Sequence, residues 1–234
     1  MAKTALVTGA AHRLGKSFAL TLARLGYDVY LHYRSAEEEA RQTQAEIEAL
    51  SRRAILVSAD LAQPSEITAL LSTFQTLDVL INSAAFMPKG NVETLTLDDW
   101  DATLNLNLRA PFLLARECAK KMNSGGLIVN VTDVGAQKAW SRYPSYTVSK
   151  AALEALTKIL ARALAPTIRV NAIAPGLVLQ SDVVPDEEWE RLIRRVPLKR
   201  PARSEEISSV LEFLLSNEYV TGQTIVVDGG YSLV

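Results

Sequence analysis

The sequence predicts an α/β protein with one doubly wound, seven-stranded, mostly parallel sheet and helices on both of its faces. Short apolar runs rich in β-branched residues alternate with longer helical patterns along the whole chain. This alternation is typical of parallel sheets with right-handed crossovers. The 234 residues, 48% of them hydrophobic, can form one large core, and no stretch has the composition of a linker. We therefore predict a single domain over residues 1–234.

The strands and helices are predicted from their patterns in chain order. We expect strands at residues 4–8, 29–33, 54–58, 78–82, 127–133, 168–173 and 224–227. We expect helices at residues 14–25, 36–50, 64–75, 97–122 (one helix or two), 146–165, 186–194 and 204–215. Two helices have clear start signals, because Pro64 suits a first helical turn and Ser145 can cap the helix that begins at Tyr146.

Charge and composition exclude several classes of function. The formal net charge is −1 and basic residues are interspersed with acidic ones, which indicates neither nucleic-acid nor membrane-surface binding. No apolar run approaches the roughly 18 to 20 residues of a membrane span, and the strand that follows Lys3 leaves no room for a signal peptide. With Cys118 as the only cysteine and two histidines, we expect neither disulfides nor a metal site. A cytoplasmic protein is the expectation.

The turn after the first predicted strand carries glycines, in the order Thr8-Gly9-Ala10-Ala11-His12-Arg13-Leu14-Gly15. Glycine in such a turn lets the backbone approach a pyrophosphate, which then lies at the N-terminus of the following helix. An ordinary glycine-containing turn is the alternative, but the position after the first strand of a βαβ unit favours dinucleotide binding. The predicted fold is therefore of the Rossmann type.

The end of the second predicted strand indicates which dinucleotide is bound. It has the sequence His32-Tyr33-Arg34-Ser35 and lacks the carboxylate that an NAD site uses for the ribose 2′-hydroxyl. A guanidinium and a hydroxyl suit a 2′-phosphate instead, which favours NADPH. The alternative for Arg34 is a solvated surface charge, which is common for arginine in general but less so at this location.

Tyr146 and Lys150 are one helical turn apart, so their side chains lie on the same face of the predicted helix. The helix follows the strand at residues 127–133, which places both groups at the carboxyl end of a strand, where open α/β sheets bind ligands. The ammonium is expected to favour the phenolate and so to lower the pKa of Tyr146. Taken alone, such a pair is more often a packed aromatic beside a solvated lysine, so the other motifs decide.

Over its whole length, the chain resembles the short-chain dehydrogenase/reductase family. Five ordered motifs match: the family's Thr-Gly-x-x-x-Gly-x-Gly turn, its Asn-Asn-Ala-Gly segment, its helix asparagine, its Tyr-x-x-x-Lys pair and its Arg-Val-Asn-x-Ile-x-Pro-Gly. Here they are, in that order, Thr8-Gly9 with Gly15, Asn82-Ser83-Ala84-Ala85, Asn107, Tyr146 with Lys150, and the stretch from Arg169 to Gly176. One departure is that Arg13 stands where the middle glycine of the turn is expected.

The resemblance implies roles for particular residues. Asn107 would hold a proton-relay water, and Lys150 would bind the nicotinamide ribose and tune Tyr146. The family usually forms tetramers, so a homotetramer is expected. The implied contacts with NADPH are Thr8, Gly9, Arg13, Leu14, Gly15, His32, Tyr33, Arg34, Ser35, Asp60, Leu61, Asn82, Ala84, Tyr146, Lys150, Pro175, Gly176 and Leu177.

Asp133 is the most informative departure from the family pattern. The family's catalytic serine lies thirteen residues before the tyrosine, and here that position is Asp133. In a ketone reductase the serine hydroxyl donates a hydrogen bond to the substrate carbonyl, whereas an ionised carboxylate cannot donate and would repel the developing oxyanion. Either Asp133 stays protonated, or the substrate is not a plain ketone.

One branch of the family, the pteridine reductases, combines this aspartate with an arginine in the glycine turn. The resemblance to this branch implies reduction of a pterin or dihydrofolate C=N bond, with Asp133, Tyr146, Lys150 and Asn107 as catalytic residues. Substrate contacts would come from Arg13, Phe86, Asp133 and Tyr146, with Phe86 stacked on the pterin. The alternative for Phe86 is a loop residue packed on the core.

Two other functions stay open at this stage. An NADPH-dependent carbonyl reductase, such as a 3-oxoacyl-carrier-protein reductase, is supported by basic residues suited to carrier-protein docking, although the pattern favours a solvated charged face near a lid at residues 177–186 for them. A non-catalytic dinucleotide-binding regulator would be expected to lack Tyr146, Lys150 or Asn107, and all three are present. The basic residues in question are Arg194, Arg195, Lys199 and Arg200.

Overall fold

A single parallel sheet organises the structure, a computed structural model that describes residues 2–181 and 184–234. Within these residues seven strands pair in the order β3-β2-β1-β4-β5-β6-β7, and every pairing is parallel. The predicted α/β doubly wound fold is therefore confirmed, with the sheet entirely parallel rather than mostly so. The strands are β1 (Thr4–Val7), β2 (Asp28–Tyr33), β3 (Ala54–Ser58), β4 (Leu77–Asn82), β5 (Met122–Val131), β6 (Ile168–Pro175) and β7 (Thr224–Val227).

Helices connect the strands and cover both faces of the sheet. The long helical pattern at residues 97–122 is divided into α4, a π-helical turn (Asn105–Arg109) and α5. A short 3₁₀ turn (Tyr231–Leu233) follows β7. The α-helices are α1 (Arg13–Arg24), α2 (Glu37–Ala49), α3 (Pro64–Leu71), α4 (Leu97–Leu104), α5 (Ala110–Ala119), α6 (Gly135–Lys138), α7 (Pro144–Leu164), α8 (Asp186–Arg195) and α9 (Ser204–Ser216). Across the described residues, no helix is both long and apolar enough to cross a membrane.

Two buried clusters lie on opposite faces of the sheet, because successive side chains of a strand alternate between faces. On one face, strand residues such as Val7 and Val129 pack with Phe18 of α1 and with α2 and α9. On the other face, Leu6 and Ile128 pack with α3, α5 and α7. Both faces of the central strands are thus covered by apolar side chains, which explains their continuous hydrophobic sequences.

Several predicted boundaries are wrong, each for a local reason. Helix α3 ends at Leu71 rather than near residue 75, because the hydroxyls of Ser72 and Thr73 donate to carbonyls of its last turn. Strand β5 begins at Met122 rather than at the predicted residue 127, and its register relative to β4 shifts between the pairs that involve Leu77 and Val79. Ser145 is not the cap of α7. It lies inside the first turn and donates its hydroxyl to Thr103 Oγ1 at 3.1 Å.

The sheet order places the candidate site. Strand β1 has β2 as one neighbour and β4 as the other. Helix α1, which follows β1, and helix α5, which follows β4, therefore lie on opposite faces of the sheet. In open α/β sheets a cleft opens outside the carboxyl ends of the strands at this reversal. The glycine turn after β1 and the segment that follows β4 both lie there, and the end of β5 lies beside them.

Candidate active site

A cleft of about 1190 Å³ opens at the carboxyl ends of the strands. The glycine turn, the ends of β2 and β3, the segments after β4, β5 and β6, and parts of α7 and α8 line it. This volume exceeds the roughly 300–1,000 Å³ of an ordinary small-ligand pocket, so it accommodates a dinucleotide and a substrate together. Of the predicted cofactor contacts, sixteen line it, namely Gly9, Arg13, Leu14, Gly15, His32, Tyr33, Arg34, Ser35, Asp60, Leu61, Ala84, Tyr146, Lys150, Pro175, Gly176 and Leu177.

The glycine turn has the close packing that a pyrophosphate site requires. A Cβ at Gly15 would lie 2.0 Å from the Gly9 carbonyl oxygen, so only glycine fits there. Gly9 has φ +64 and packs against Ala84, the residue that follows β4 by two positions. Arg13 replaces the middle glycine of the family pattern and adopts φ 55, the left-handed conformation that glycine favours. The first residues of α1 line the cleft, and the free backbone N–H groups of a helix N-terminus suit a diphosphate.

Thr8 and Asn82, two of the predicted cofactor contacts, do not line the cleft. The Thr8 hydroxyl accepts hydrogen bonds from the backbone N–H groups of Ser83 and Ala84 at 2.9 and 3.0 Å. Asn82 is buried and donates to Asn130 Oδ1 at 2.8 Å. Thr8 therefore ties β1 to the segment after β4, and Asn82 ties β4 to β5, while the contact of both residues with the cofactor remains a prediction.

His32 lines the cleft but directs both ring nitrogens to the protein. Its Nδ1 accepts the N–H of Gly9 at 3.1 Å, and its Nε2 lies 3.0 Å from the carbonyl oxygen of Ala59. The two bonds fix the neutral tautomer with the proton on Nε2. Burial lowers the pKa of His32 to about 4, so the ring is neutral at physiological pH. His32 thus links the turn after β1 to the end of β3.

Asp133 and Tyr146 form the chemical centre of the cleft. Asp133 lies two residues after the end of β5, and α7 brings Tyr146 over it. The Tyr146 hydroxyl donates to Asp133 Oδ2 at 2.8 Å, and the Gly135 N–H donates to Asp133 Oδ1 at 2.7 Å. Lys150 Nζ donates to the Val131 carbonyl at 2.6 Å and lies 5.6 Å from the Tyr146 ring. The tyrosine hydroxyl is thus bonded to the carboxylate and not to the ammonium.

Burial sets the protonation of these three groups. Asp133 is enclosed by protein on every side except the cleft, and burial raises its pKa to about 6 against the lowering effects of the Gly135 and Tyr146 hydrogen bonds. Burial, reinforced by the charge of Asp133, raises the pKa of Tyr146 well above its usual value. The expected lowering of the Tyr146 pKa by Lys150 is therefore wrong. Burial lowers the pKa of Lys150 to about 8.

Asn107 lies in the π-helical turn, a feature often found at functional sites. Its amide nitrogen donates to the Phe86 carbonyl at 2.9 Å and to Ser149 Oγ at 3.0 Å. Its carbonyl oxygen accepts the Phe86 N–H at 2.8 Å. Ser149 in turn donates to the backbone carbonyl of Tyr146 at 2.7 Å. Asn107 therefore ties the loop after β4 to the helix that carries the tyrosine.

Phe86 lines the cleft with 40% of its surface exposed, which disfavours the alternative of a core-packed residue. Four aromatic side chains that the sequence did not single out as site residues line the same region. Trp140 packs so closely on α6 that a Cβ at Gly135 would lie 2.7 Å from its ring, and Tyr143 contacts Trp140 edge-on. The four are Trp140, Tyr143, Trp189 and Tyr231. Only tertiary structure brings them together, because they come from three separate segments.

Arg13 joins the glycine turn to the predicted lid. Its guanidinium donates to the carbonyls of Leu179 and Gln180 at 2.7 and 3.1 Å. The Gln180 amide donates to Asp186 Oδ1 at 2.9 Å, at the start of α8. The lid predicted at residues 177–186 thus forms one wall of the cleft, although its residues 182–183 lie outside the described residues.

Fold and cleft together define a protein of the Rossmann-type α/β class with a cleft large enough for a dinucleotide. A family model described as enoyl-(acyl carrier protein) reductase matches residues 9–232. The 3-oxoacyl-[acyl-carrier-protein] reductase FabG of Staphylococcus aureus is 34% identical over 241 aligned residues, covering 98% of this chain and 98% of the relative. The chain therefore belongs to the short-chain dehydrogenase/reductase family.

Two solved structures that hold NADP are also similar. The angucycline C-6 ketoreductase LanV with bound NADP has a TM-score of 0.95 at 31% identity, covering 99% of this chain and 96% of that chain. FolM alternative dihydrofolate reductase 1 from Brucella canis, complexed with NADP, has a TM-score of 0.94 at 34% identity, covering 99% and 94%. One neighbour is thus named for a ketone substrate and the other for a folate, so these two structures do not distinguish between the two substrate classes.

Proposed function

We propose that this protein is an NADPH-dependent reductase of a C=N bond in a pterin or dihydrofolate. One observation carries this proposal: the carboxyl of Asp133, which accepts the Tyr146 hydroxyl at 2.8 Å, stands where ketone reductases of the family have a serine. A carboxyl with a raised pKa suits protonation of a ring nitrogen. It does not suit an oxyanion, because an ionised carboxylate repels that charge.

The residues of the cleft fit NADPH. The glycine turn would hold the diphosphate, and Arg34 and Ser35 at the end of β2 would bind the 2′-phosphate. Lys150, which lines the cleft beside Tyr146, would bind the nicotinamide ribose. When bound, NADPH supplies a hydride to the carbon of the C=N bond, and the nitrogen then requires a proton.

Asp133 and Tyr146 would provide that proton. At pH values below about 6 the Asp133 carboxyl is protonated, and the Tyr146 hydroxyl carries its own proton throughout the physiological range because its pKa is raised. The pair therefore holds one extra proton under acid conditions and can deliver it to the substrate nitrogen, directly or with Tyr146 as the relay. Asn107 would hold the predicted relay water in addition to positioning Phe86.

The walls of the cleft suit a flat ring. Phe86, Trp140, Tyr143, Trp189 and Tyr231 all line it. Aromatic side chains stack on planar conjugated ligands, with a gain of about 0.5–1.5 kcal/mol per pair beyond burial of area. A flexible acyl chain would gain only the burial. This composition supports a pterin ring over an acyl thioester.

Reduction of a 3-oxoacyl thioester on a carrier protein is the second candidate. The curated relatives favour it over the pterin proposal, since those of Staphylococcus aureus and Synechocystis at 34% and 35% identity are named 3-oxoacyl-[acyl-carrier-protein] reductases. The predicted docking residues give it less support, because Arg200 is paired with Glu206 at 2.7 Å and Lys199 donates to the Arg194 carbonyl.

A substrate comparison separates the two candidates. Purified protein with NADPH would be offered a dihydropterin, dihydrofolate, and an acetoacetyl thioester, and the fall in NADPH absorbance would be measured for each. The proposal expects the highest kcat/KM with one of the first two, and a rate that rises toward acid pH. Turnover of the thioester alone would replace it with the second candidate. Turnover of none of the three would overturn both candidates.

A further inference from the structure

The outer part of the cleft, beyond Asp133, is positively charged. Four basic side chains line it against a single acidic one, Glu188, among the described residues there. A cleft lined by one sign of charge attracts ligands of the opposite sign. The basic residues are Lys138, Arg142, Arg191 and Arg195.

Three of these cations are already bonded within the protein. Lys138 donates to the carbonyl oxygens of Tyr231 and Val234. Arg142 and Arg191 share Glu188, at 3.2 and 3.5 Å. These three therefore hold the walls of the cleft together and have less capacity for a ligand.

Arg195 differs from the other three. Throughout residues 2–181 and 184–234 it has no ion pair, and its guanidinium lies 6.0 Å from the centre of the Tyr231 ring. Tyr231 is buried, with 3% of its surface exposed, and it lines the cleft. The charges of both Arg195 and Asp133 affect the pKa of Tyr231, which burial raises. Tyr231 is thus in electrostatic contact with both Asp133 and Arg195, and all three line the same cleft.

We propose that the substrate carries an anionic tail and that Arg195, at the end of helix α8, binds this tail and so determines substrate specificity. This rests on the proposed function for the position of the reacting ring at Asp133 and Tyr146. A ligand whose ring lies between Phe86 and Tyr146 would extend along Tyr231 toward the guanidinium. Arginine binds carboxylates and phosphates through paired N–H donors, so its guanidinium suits either kind of anionic group.

Two kinds of tail have this chemistry. A folate-type substrate ends in glutamyl carboxylates, and a carrier-linked thioester has a phosphate on its pantetheine arm. The test uses one matched pair of ligands for each. The first pair is folate and its diamide, which have the same size and differ only in the charge of the tail. The second pair is acetoacetyl-4′-phosphopantetheine and acetoacetyl-pantetheine, which differ only in the phosphate.

Affinities would be measured by isothermal titration calorimetry on protein saturated with NADP⁺, so that the charge of the cofactor is constant. The wild type should bind the charged member of one pair about tenfold more tightly, the lower end of the range for a charge-assisted contact, since Arg195 is exposed to solvent. Arg195→Gln should abolish this preference, and Arg195→Lys should restore part of it. Higher ionic strength should weaken the preference in the wild type.

Arg194→Gln is the matched control. Arg194 is adjacent on α8, is paired with Glu190 at 3.5 Å, and does not line the cleft, so its loss should leave the preference unchanged. Equal affinity within both pairs in the wild type would overturn the proposal, and so would a preference that survives Arg195→Gln.

The two proposals can fail separately. A preference confined to the thioester pair would uphold the anionic tail, identify it as a phosphate, and count against the pterin function. Turnover of a dihydropterin by a protein without any preference would uphold the pterin function and overturn the anionic tail.

Discussion

At the scale of single residues, the proposed function depends most on Asp133. Its environment differs from that of an ordinary surface aspartate. Its Oδ2 accepts a hydrogen bond from the Tyr146 hydroxyl, its Oδ1 accepts one from the Gly135 N–H, and protein encloses the carboxyl except at the cleft. Burial outweighs these two hydrogen bonds and raises its pKa to about 6. The sequence indicated the unusual residue type, but only the packing of α7 over the end of β5 shows which proton it shares.

Asp133→Ala should remove the acid and leave the cofactor site intact. General acid catalysis contributes about 10²- to 10⁴-fold, so kcat for dihydropterin reduction should fall by that range while the Kd for NADPH stays within about twofold. Asp133→Ser should also lose pterin reduction and gain activity on simple ketones, since a hydroxyl can donate to a carbonyl. Undiminished pterin turnover in Asp133→Ala would remove Asp133 from the mechanism.

Tyr146→Phe tests the other half of the pair. The variant keeps the ring and removes the hydroxyl, so both pterin and ketone reduction should decrease at least about a hundredfold. Without its hydrogen-bond donor, Asp133 should show a still higher pKa, because the Tyr146 hydroxyl stabilises the ionised carboxylate. The pH profile of residual activity would show this shift toward alkaline pH. A profile that does not move would contradict the shared proton.

Arg34 tests the choice of cofactor. It is exposed at the end of β2 and lines the cleft with Ser35. Arg34→Asp should weaken NADPH binding by about tenfold to a hundredfold, the range for loss of a charge-assisted contact, and should improve NADH binding relative to NADPH. The control is Arg116→Asp, on α5 and away from the cleft, which should leave the ratio of the two Kd values unchanged. A wild type that uses both cofactors equally would contradict the prediction.

At the scale of elements, the π-helical turn between α4 and α5 positions Phe86. An unbroken α-helix would rotate Asn107 away from the loop after β4, whereas the wider turn directs its amide to both the N–H and the carbonyl of Phe86. The sequence predicted Asn107 from the resemblance alone and gave no sign of the π turn. Periodicity over residues 97–122 does not distinguish one extra residue in a turn from a second helix.

Phe86→Leu should raise the KM for a dihydropterin about twofold to twelvefold, because an aromatic pair contributes about 0.5–1.5 kcal/mol beyond burial. The Kd for NADPH should not change, since the backbone bonds of Phe86 to Asn107 are kept. Phe86→Tyr retains the ring and serves as the control. Equal KM values in all three proteins would show that Phe86 does not stack on the substrate.

At the scale of the whole molecule, the sheet was predictable and the outer cleft was not. Apolar runs such as β3 and β7 define strands by local pattern alone, and both agree with the predicted bounds. The residues that shape the substrate end, such as Trp189 and Tyr231, come from segments far apart in sequence. Their proximity depends on the order of the strands and on how α8 and the end of the chain fold over the sheet, which no local pattern encodes.

The expected homotetramer remains a prediction. Apolar side chains are exposed on α5 and α7, and we expect these two helices to pack between subunits; the exposed residues are Phe112, Val148 and Ile159. Light scattering at micromolar concentration should give the mass of four chains. Ile159→Asp, which places a charge on this surface away from the cleft, should lower that mass, and a monomeric wild type would refute the assembly.

Protonation of Asp133 and protonation of His32 should have opposite effects on activity. Acid favours the carboxyl that the proposed reaction requires, yet it works against the neutral imidazole whose Nδ1 accepts the Gly9 N–H. Because burial lowers the pKa of His32 to about 4, the stability it contributes is fully present above its unfolded pKa of roughly 6.5 and is lost as pH falls toward 4. A protonated ring has no lone pair for Gly9, so the cofactor turn would lose its support. Protonation of Asp133 should therefore raise activity as the pH falls, and protonation of His32 at still lower pH should reduce it. The kcat/KM for a dihydropterin should pass through a maximum between about pH 4 and 6.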